Sequence, residues 1–292
     1  MLRVTDRGLF RGICKGPLLL ETVRRARGLF LARARRKVAL RRAASAPAYD
    51  DWHKSHETGS GPWYELVKDS FAASEILEGS DVLEIGCGSG QFAAWMATNG
   101  AASVSGEDFS PVAIEQALAA HSEAGLSFRV GDIENIAHLD ESFDVVVSCE
   151  TIEHVPHPAK ALAELARVLK PGGTLFLTTP NYLSITGAHR VWREATGRKW
   201  DEGGQPIANW TLYPRTARWI RRVGLKMQET SGVGWYLPVP RKSSGYELEI
   251  PQPLRRWLKL SALHMLIEAT KAHDRDQQGD TEVVGATATR RA

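Results

Sequence analysis

The sequence predicts an α/β protein built on a seven-stranded, mostly parallel sheet with helices on both faces, and three observations carry that prediction. From residue 81 onward, short apolar runs alternate with segments of helical periodicity, the pattern of a parallel sheet. The first run, 81–85, passes into Gly86-Cys87-Gly88-Ser89-Gly90 and then into a helix. Glycines at alternate positions let the backbone take positive φ and let a ligand approach atoms that a Cβ would cover. Finally, acids stand at or just after four successive runs, at Glu84, Asp108, Asp132 and Glu150. Ligands of an open α/β sheet bind beyond the carboxyl ends of its strands.

Taken in order, the chain begins with a strongly basic extension, 1–46, whose 13 Lys/Arg face only Asp6 and Glu21. Its net charge of +11 leaves −8 on the remainder of a chain whose total is +3. Residues 17–42 read as a helix, and up to Leu31 it has one apolar face, with Leu19, Val23, Ala26 and Phe30 at helical spacing. Arg33, Lys37 and Arg41 then fall on that face, so the amphipathicity fades into a basic segment. Such a helix suits peripheral contact with an anionic membrane, an organelle-targeting role, phosphate contacts, or a solvated extension. Residues 45–48 read as a linker into the main domain, 47–273. There Trp52, Trp63 and Tyr64 lead into a helix whose Trp63, Leu66, Val67, Phe71 and Leu77 share a face, expected to pack beside the first strand and cover a pocket.

Strands follow at 81–85, 103–107, 127–130, 143–148 and 174–179. Helices intervene over 91–98, from Pro111 with Ser110 as N-cap, and from about Pro158 to the stop at Lys170-Pro171-Gly172-Gly173. The fourth strand is apolar after Asp144 and is expected at the centre. A helix over 214–223, a sixth strand over 225–229 and a seventh over 263–269 complete the sheet. An insertion, 231–261, rich in Pro, Gly, Trp and basic residues, precedes the last strand. The polar tail 274–292 is expected to be disordered.

Cys14, Cys87 and Cys149 show neither pairing nor metal spacing, which fits a reducing, cytoplasmic setting. No apolar run is long enough to span a bilayer, and 18–20 is too short for a signal-peptide core.

The chemistry follows from positions. Gln91 stands where the dinucleotide fingerprint needs its third glycine, so the glycine turn seats something else. Asp108, 24 residues after Glu84, is placed to accept both ribose hydroxyls of a nucleoside, and Asp132 beside Ile133 to read an adenine amino group. After the fourth strand comes Glu150-x-x-Glu153-His154. If the chain turns helical there, two carboxylates and an imidazole share one face. That set suits general acid–base work, or Mg²⁺ or Mn²⁺ acting as a Lewis acid.

Residues 81 to about 181, through LEIGCGSG, SGEDFS, GDIENI, FDVVVSCETIEHV and ARVLKPGGTLFLTTPN, resemble the class I S-adenosylmethionine-dependent methyltransferases. The resemblance implies a Rossmann-like sheet and S-adenosyl-L-methionine as cofactor. Glu84, Gly86, Cys87, Gly88 and Gly90 would hold its methionine part, Asp108 the ribose, with Glu107 a second acid that could share it. Phe109 would flank the adenine, and Asp132 with Ile133 would recognise it. The ETIEHV segment is similar to that of the ubiquinone-pathway O-methyltransferases and of the RNA 3′-terminal 2′-O-methyltransferases. That similarity implies Glu150, Glu153 and His154 as a catalytic or cation-binding cluster, with Asn209 as a fourth ligand and Asn181 its rival.

Six of the nine tryptophans follow residue 190, among arginines and lysines, as in a lid over an aromatic or lipidic acceptor, a base-stacking surface or an enlarged subdomain. The leading expectation is methyl transfer to a hydroxyl of a small aromatic or lipidic acceptor. RNA 2′-O-methylation ranks below it, because the body is acidic and lacks an RNA-binding module. A non-catalytic protein of the same fold, bound to a membrane or nucleic acid, is the alternative from another class.

Overall fold

The computed structural model describes residues 46–56, 61–198, 200, 204–237, 246–247 and 250–273, so the expected basic helix 17–42 and the tail 274–292 lie outside the described residues. Seven strands form one sheet in the order β3-β2-β1-β4-β5-β9-β6. They are β1 (Asp81–Ile85), β2 (Ser103–Asp108), β3 (Leu126–Val130), β4 (Phe143–Cys149), β5 (Leu169–Pro180), β6 (Leu225–Val233) and β9 (His264–Lys271). The first five run parallel, while β9 lies antiparallel between β5 and β6. The chain order reverses between β1 and β4, which creates the crevice where such folds seat ligands. A small hairpin pairs β7 (Tyr236–Leu237) with β8 (Tyr246–Glu247).

The helices are α1 (Ala46–His53), α2 (Pro62–Ser74), α3 (Gln91–Thr98), α4 (Pro111–Ala120), α5 (Pro158–Val168), α6 (Ile185–Ala195), α7 (Tyr213–Arg222) and α8 (Gln252–Leu258). Strand residues alternate between two cores, because successive side chains leave a strand on opposite faces. Leu83, Ile85, Val146, Leu175 and Leu177 meet Leu162 and Leu165 of α5 and Ile220 of α7 on one face. Val82, Val145, Val147 and Phe176 meet Tyr64, Val67 and Phe71 of α2 and Phe92 and Met96 of α3 on the other. The expected packing of α2 over the first strand is therefore observed. At the start of α4, Ser110 Oγ accepts from Ala113 N at 3.2 Å with Pro111 in the first turn, as its sequence dictates.

Three segments differ from expectation. β6 runs on to Val233 past a bulge between Met227 and Thr230, so 231–233, expected within the insertion, pair with 264–266 of β9. α1 forms where a linker was expected at 46–48, because Asp50 ties it to α4: its Oδ1 accepts from Ser110 Oγ at 2.5 Å. α6 was not expected at all. Its buried residues are Gly187 and Arg190, while its apolar residues Ile185, Val191 and Trp192 are exposed, so its apolar spacing does not mark the face it buries.

Candidate active site

The carboxyl ends of the strands open on one cavity of about 490 Å³. The glycine turn between β1 and α3 forms its floor. Gly86, Gly88 and Gly90 all take positive φ, at 82°, 53° and 80°. A Cβ at Gly86 would also collide with the Thr151 side chain, so no other residue fits there. The turn is fixed from behind: the amides of Gly86 and Cys87 donate to the Glu107 carbonyl, at 2.7 and 2.9 Å. Gly88 N donates to Asp108 Oδ2 at 2.9 Å.

Asp108 and Glu107 have separate roles. Asp108 lines the cavity and also accepts from Ser110 N at 2.9 Å. Glu107 is fully buried, and its Oε1 meets Arg129 Nε at 2.8 Å and His138 Nε2 at 2.6 Å, away from the cavity lining. The geometry thus separates the two acids that the sequence left as rivals for the ribose. Phe109, Asp132 and Ile133 join Asp108, Gly86 and Gly88 on the cavity wall, whereas Glu84, Cys87 and Gly90 stand behind it. Asp132 Oδ1 accepts from Glu134 N at 2.8 Å, which fixes the turn after β3.

Glu84 is 1% exposed and neither carboxylate oxygen makes a well-formed hydrogen bond. Burial, and next the charge of Asp108, push its pKa well above the usual carboxylate range. A buried acid with no cationic partner among the described residues, behind a glycine turn, fits the cationic amino group of a methionine moiety. The sign of its linkage is specific. The unfolded chain ionises Glu84 near about pH 4.3, while the folded chain holds the proton to higher pH. This carboxyl therefore contributes stability below its unfolded pKa that is lost as pH rises toward its folded value. Glu84→Gln is expected to remove that slope, so that the ligand-free variant gains thermal stability relative to wild type as pH rises above about 4.3. Parallel melting curves across the range would refute the assignment.

After β4, Glu150 adopts a left-handed φ of 47°, a conformation that costs a non-glycine residue energy and recurs at functional sites. It is held there by two bonds from its amide, to Thr178 O and Oγ1, both at 3.1 Å. The chain then makes a single 3₁₀ turn, Ile152–His154. The three side chains are therefore not set on one α-helical face, and the two carboxylates, both lining the cavity, take different partners. Glu150 Oε2 meets His264 Nδ1 at 2.8 Å, and Glu153 Oε2 accepts from Thr179 Oγ1 at 2.9 Å. His154 Nδ1 bonds the Ile207 carbonyl and its Nε2 lies 3.6 Å from Glu153 Oε1. Burial pulls the His154 pKa below its ordinary value, so the ring is neutral and serves as a donor at Nδ1 and an acceptor at Nε2.

Among the described residues, no group of three or more His, Cys, Asp or Glu side chains stands where it could hold a metal ion. Asn209 is engaged as a strap on the 3₁₀ turn: its amide donates to Glu153 O at 2.9 Å and its Nδ2 to Val155 O at 2.7 Å. Asn181 is likewise used structurally, with Nδ2 on Leu260 O at 2.7 Å. Glu150, Glu153 and His154 share the cavity but do not form such a group, and Asn209 is not among its lining residues, so the donor set as it stands does not fit Mg²⁺ or Mn²⁺.

Sequence reasoning missed several cavity residues. His264 is separated from Glu150 by more than a hundred positions, and no local motif marks it. Tyr49 and His53 come, with the already noted Trp52, from α1, which brings His53 Nε2 to 3.7 Å from Asp108 Oδ1. Their aromatic character was the available signal. The tryptophan-rich region resolves into two roles. Arg190, buried at 4% exposure, sits over the rings of Tyr182 and Trp210, with its guanidinium carbon 4.5 and 4.4 Å from their centroids. It also bonds the carbonyls of Ala208 and Asn209, which holds the strap behind His154. Tyr182 and Trp200 then form part of the cavity wall.

A doubly wound sheet with an acid-lined, glycine-floored crevice at its switch point defines a nucleoside-binding α/β protein. Residues 83–177 match the family model described as a methyltransferase domain. The ubiquinone biosynthesis O-methyltransferase of Xanthomonas campestris pv. campestris (strain B100) is 34% identical over 174 residues, covering 56% of this chain and 70% of the relative. That of Xanthomonas euvesicatoria pv. vesicatoria is 34% identical over 166 residues, covering 54% and 67%. Solved structures agree in fold. A chain of the complex between the Haloferax volcanii Trm112 methyltransferase activator and a methyltransferase superposes with a TM-score of 0.53 at 22% identity, covering 77% of this chain and 98% of that one. The [4+2]-cyclase SpnF superposes with a TM-score of 0.52 at 20% identity, covering 72% and 82%. The chain belongs to the class I S-adenosylmethionine-dependent methyltransferases. Its methyl donor is S-adenosyl-L-methionine.

Proposed function

We propose that the protein transfers the methyl group of S-adenosylmethionine to a hydroxyl of a small aromatic or lipidic acceptor in a cytoplasmic setting. The observation that carries this reading is the Glu150–His264 pair, a carboxylate-held imidazole on the same cavity as the nucleoside-binding acids. The cofactor supplies an already activated methyl on a sulfonium, so the protein's tasks are alignment, exclusion of water and removal of the hydroxyl proton. Asp108 would hold the ribose, Phe109, Asp132 and Ile133 the base, and Gly86, Gly88 and Glu84 the methionine end.

Glu150 accepting from His264 Nδ1 fixes the tautomer in which Nε2 is the basic nitrogen. His154 is fixed in the same sense by the Ile207 carbonyl. Either ring can accept a proton, and Glu150 stabilises the charge that would form on His264. The carboxylate of Glu153, held by Thr179, offers similar support to His154. Trp52, Trp63, Tyr182, Trp200 and Leu263 give the cavity flat apolar walls suited to an aromatic ring or an alkyl chain. The 34% identical relatives, named as ubiquinone biosynthesis O-methyltransferases, support an oxygen acceptor.

The test is turnover of a panel of catechols and long-chain alkyl phenols with S-adenosylmethionine, products being read by mass spectrometry. Methylation confined to nitrogen or carbon acceptors would sink the reading, as would a failure to bind S-adenosylhomocysteine at micromolar concentration in a calorimetric titration. Because no described group of three carboxylate or imidazole side chains is placed to hold a metal ion, turnover is expected to survive excess EDTA. Loss of activity in EDTA that Mg²⁺ restores would show that the cluster closes on a cation.

A further inference from the structure

We infer that α8 and the turn after it dock the protein on an anionic membrane surface beside the mouth of the cavity. Leu254, Trp257 and Leu258 recur at i, i+3 and i+4, the spacing by which a helix normally buries an apolar face. Here they are 51%, 83% and 39% exposed, and Leu260 just beyond is 44% exposed. No described side chain of α8 is buried. A seven-residue helix is not stable alone in water, so this one must be held by something other than its own side chains.

Among the described residues, the holding contacts fall at its C-terminal end and the turn after it. Trp235 Nε1 donates to Ser261 Oγ at 3.1 Å and to the Leu258 carbonyl at 3.4 Å, and Asn181 Nδ2 to the Leu260 carbonyl at 2.7 Å. The protein thus tethers this segment through two backbone carbonyls and Ser261 and leaves the apolar side chains outward.

Charge complementarity selects the occupant. Arg255 and Lys259, four residues apart, flank the apolar face, and among the described residues neither takes part in an ion pair. Tryptophan and leucine beside cations that no described acid pairs is the composition of a helix that lies in the headgroup layer, its rings and alkyl groups at the acyl boundary and its cations on lipid phosphates. The 13 Lys/Arg of residues 1–46 carry charge of the same sign. A protein partner would have to match a face that is both apolar and basic, whereas an anionic bilayer supplies both complements.

Position ties the surface to the site. Asn181, which anchors Leu260, lies between Pro180 and Tyr182, and its own amide bonds the Leu263 carbonyl. Pro180, Tyr182 and Leu263 all line the cavity. Docking through α8 would set the mouth against the bilayer, so that a membrane-resident acceptor enters from the lipid side. That consequence rests on the hydroxyl-methylation reading above; the docking does not.

The experiment is flotation of the full chain with vesicles of phosphatidylcholine alone and of phosphatidylcholine and phosphatidylglycerol in equal parts. The wild type is expected to float with the second and not the first. Leu254→Ser/Trp257→Ser should lower the vesicle partition coefficient by roughly tenfold or more. Arg255→Glu/Lys259→Glu should lower it on the anionic vesicles and flatten its salt dependence. Brominated lipid should quench the fluorescence of the wild type more than that of Trp257→Phe. Unchanged titration with S-adenosylhomocysteine shows that each variant is folded, and keeps a failure of docking distinct from a failure of the methyltransferase reading. Wild type that stays with the sedimenting fraction, or α8 variants that float as well as wild type, would overturn the proposal. So would a dimer, seen by sedimentation without vesicles and abolished by Trp257→Ser, because the face would then belong to a second copy.

Discussion

Asp108→Asn is expected to weaken S-adenosylhomocysteine binding by roughly 100-fold or more. The carboxylate does two things at once. Its oxygens already accept from the amides of Gly88 and Ser110, which sets the shape of the glycine turn, and its remaining lone pairs face the cavity where a ribose would lie. An asparagine amide would point its NH₂ group at one of those two backbone donors and would lack the charge that strengthens bonds to hydroxyls. The informative comparison is Glu107→Gln. Glu107 is buried against Arg129 and His138, so its substitution should lower the melting temperature while leaving nucleoside affinity close to wild type. Calorimetry and thermal melting on the two variants separate the roles; a Glu107 variant that lost affinity as strongly as the Asp108 variant would show that the second acid shares the ribose after all.

His264→Gln should lower kcat by on the order of 100- to 10,000-fold with little change in S-adenosylhomocysteine affinity. Glu150→Gln should act in the same direction and less strongly, because the imidazole survives while losing the carboxylate that fixes its tautomer and stabilises its charged form. If the pair acts as a unit, the double variant is no slower than His264→Gln alone, since removing the orienting group from an absent base costs nothing more. Additive losses would mean that Glu150 works through a different partner, and an unaffected kcat in His264→Gln would transfer the base role to His154.

Much of this protein was legible in its residues, and what was legible shares a physical character. The alternating cores on the two faces of the sheet follow from side-chain direction along each strand, so Val145, Val146 and Val147 announce a buried central strand before any coordinate is known. The glycine turn and the acids Asp108 and Asp132 are likewise local, since each stands at the end of its own strand and the parallel sheet brings those ends together. Ser110 caps α4 through a bond within a single turn. By contrast, the buried face of α6 could not be read from its apolar spacing, because Ile185, Val191 and Trp192 are exposed and its buried positions are a glycine and an arginine, which finds its partners only after Tyr182 and Trp210 have been folded around it.

The Glu150-x-x-Glu153-His154 segment shows where the division falls. Its residue types and spacing identified acid–base or cation chemistry, and an α-helix would have stacked the three side chains. The left-handed backbone at Glu150 and the 3₁₀ turn send them elsewhere, and that conformation is set by Thr178 on β5 and by Asn209 on the strap that Arg190 holds. Glu150's partner, His264, lies on the antiparallel strand β9 and meets it only because β9 inserts between β5 and β6. The sequence by itself determined the class of fold and the methyltransferase family, because these depend on strand ends and turns that each segment specifies alone. Only the tertiary structure decided which carboxylate meets which imidazole, because that pairing is made across the sheet by residues with no local relation to one another.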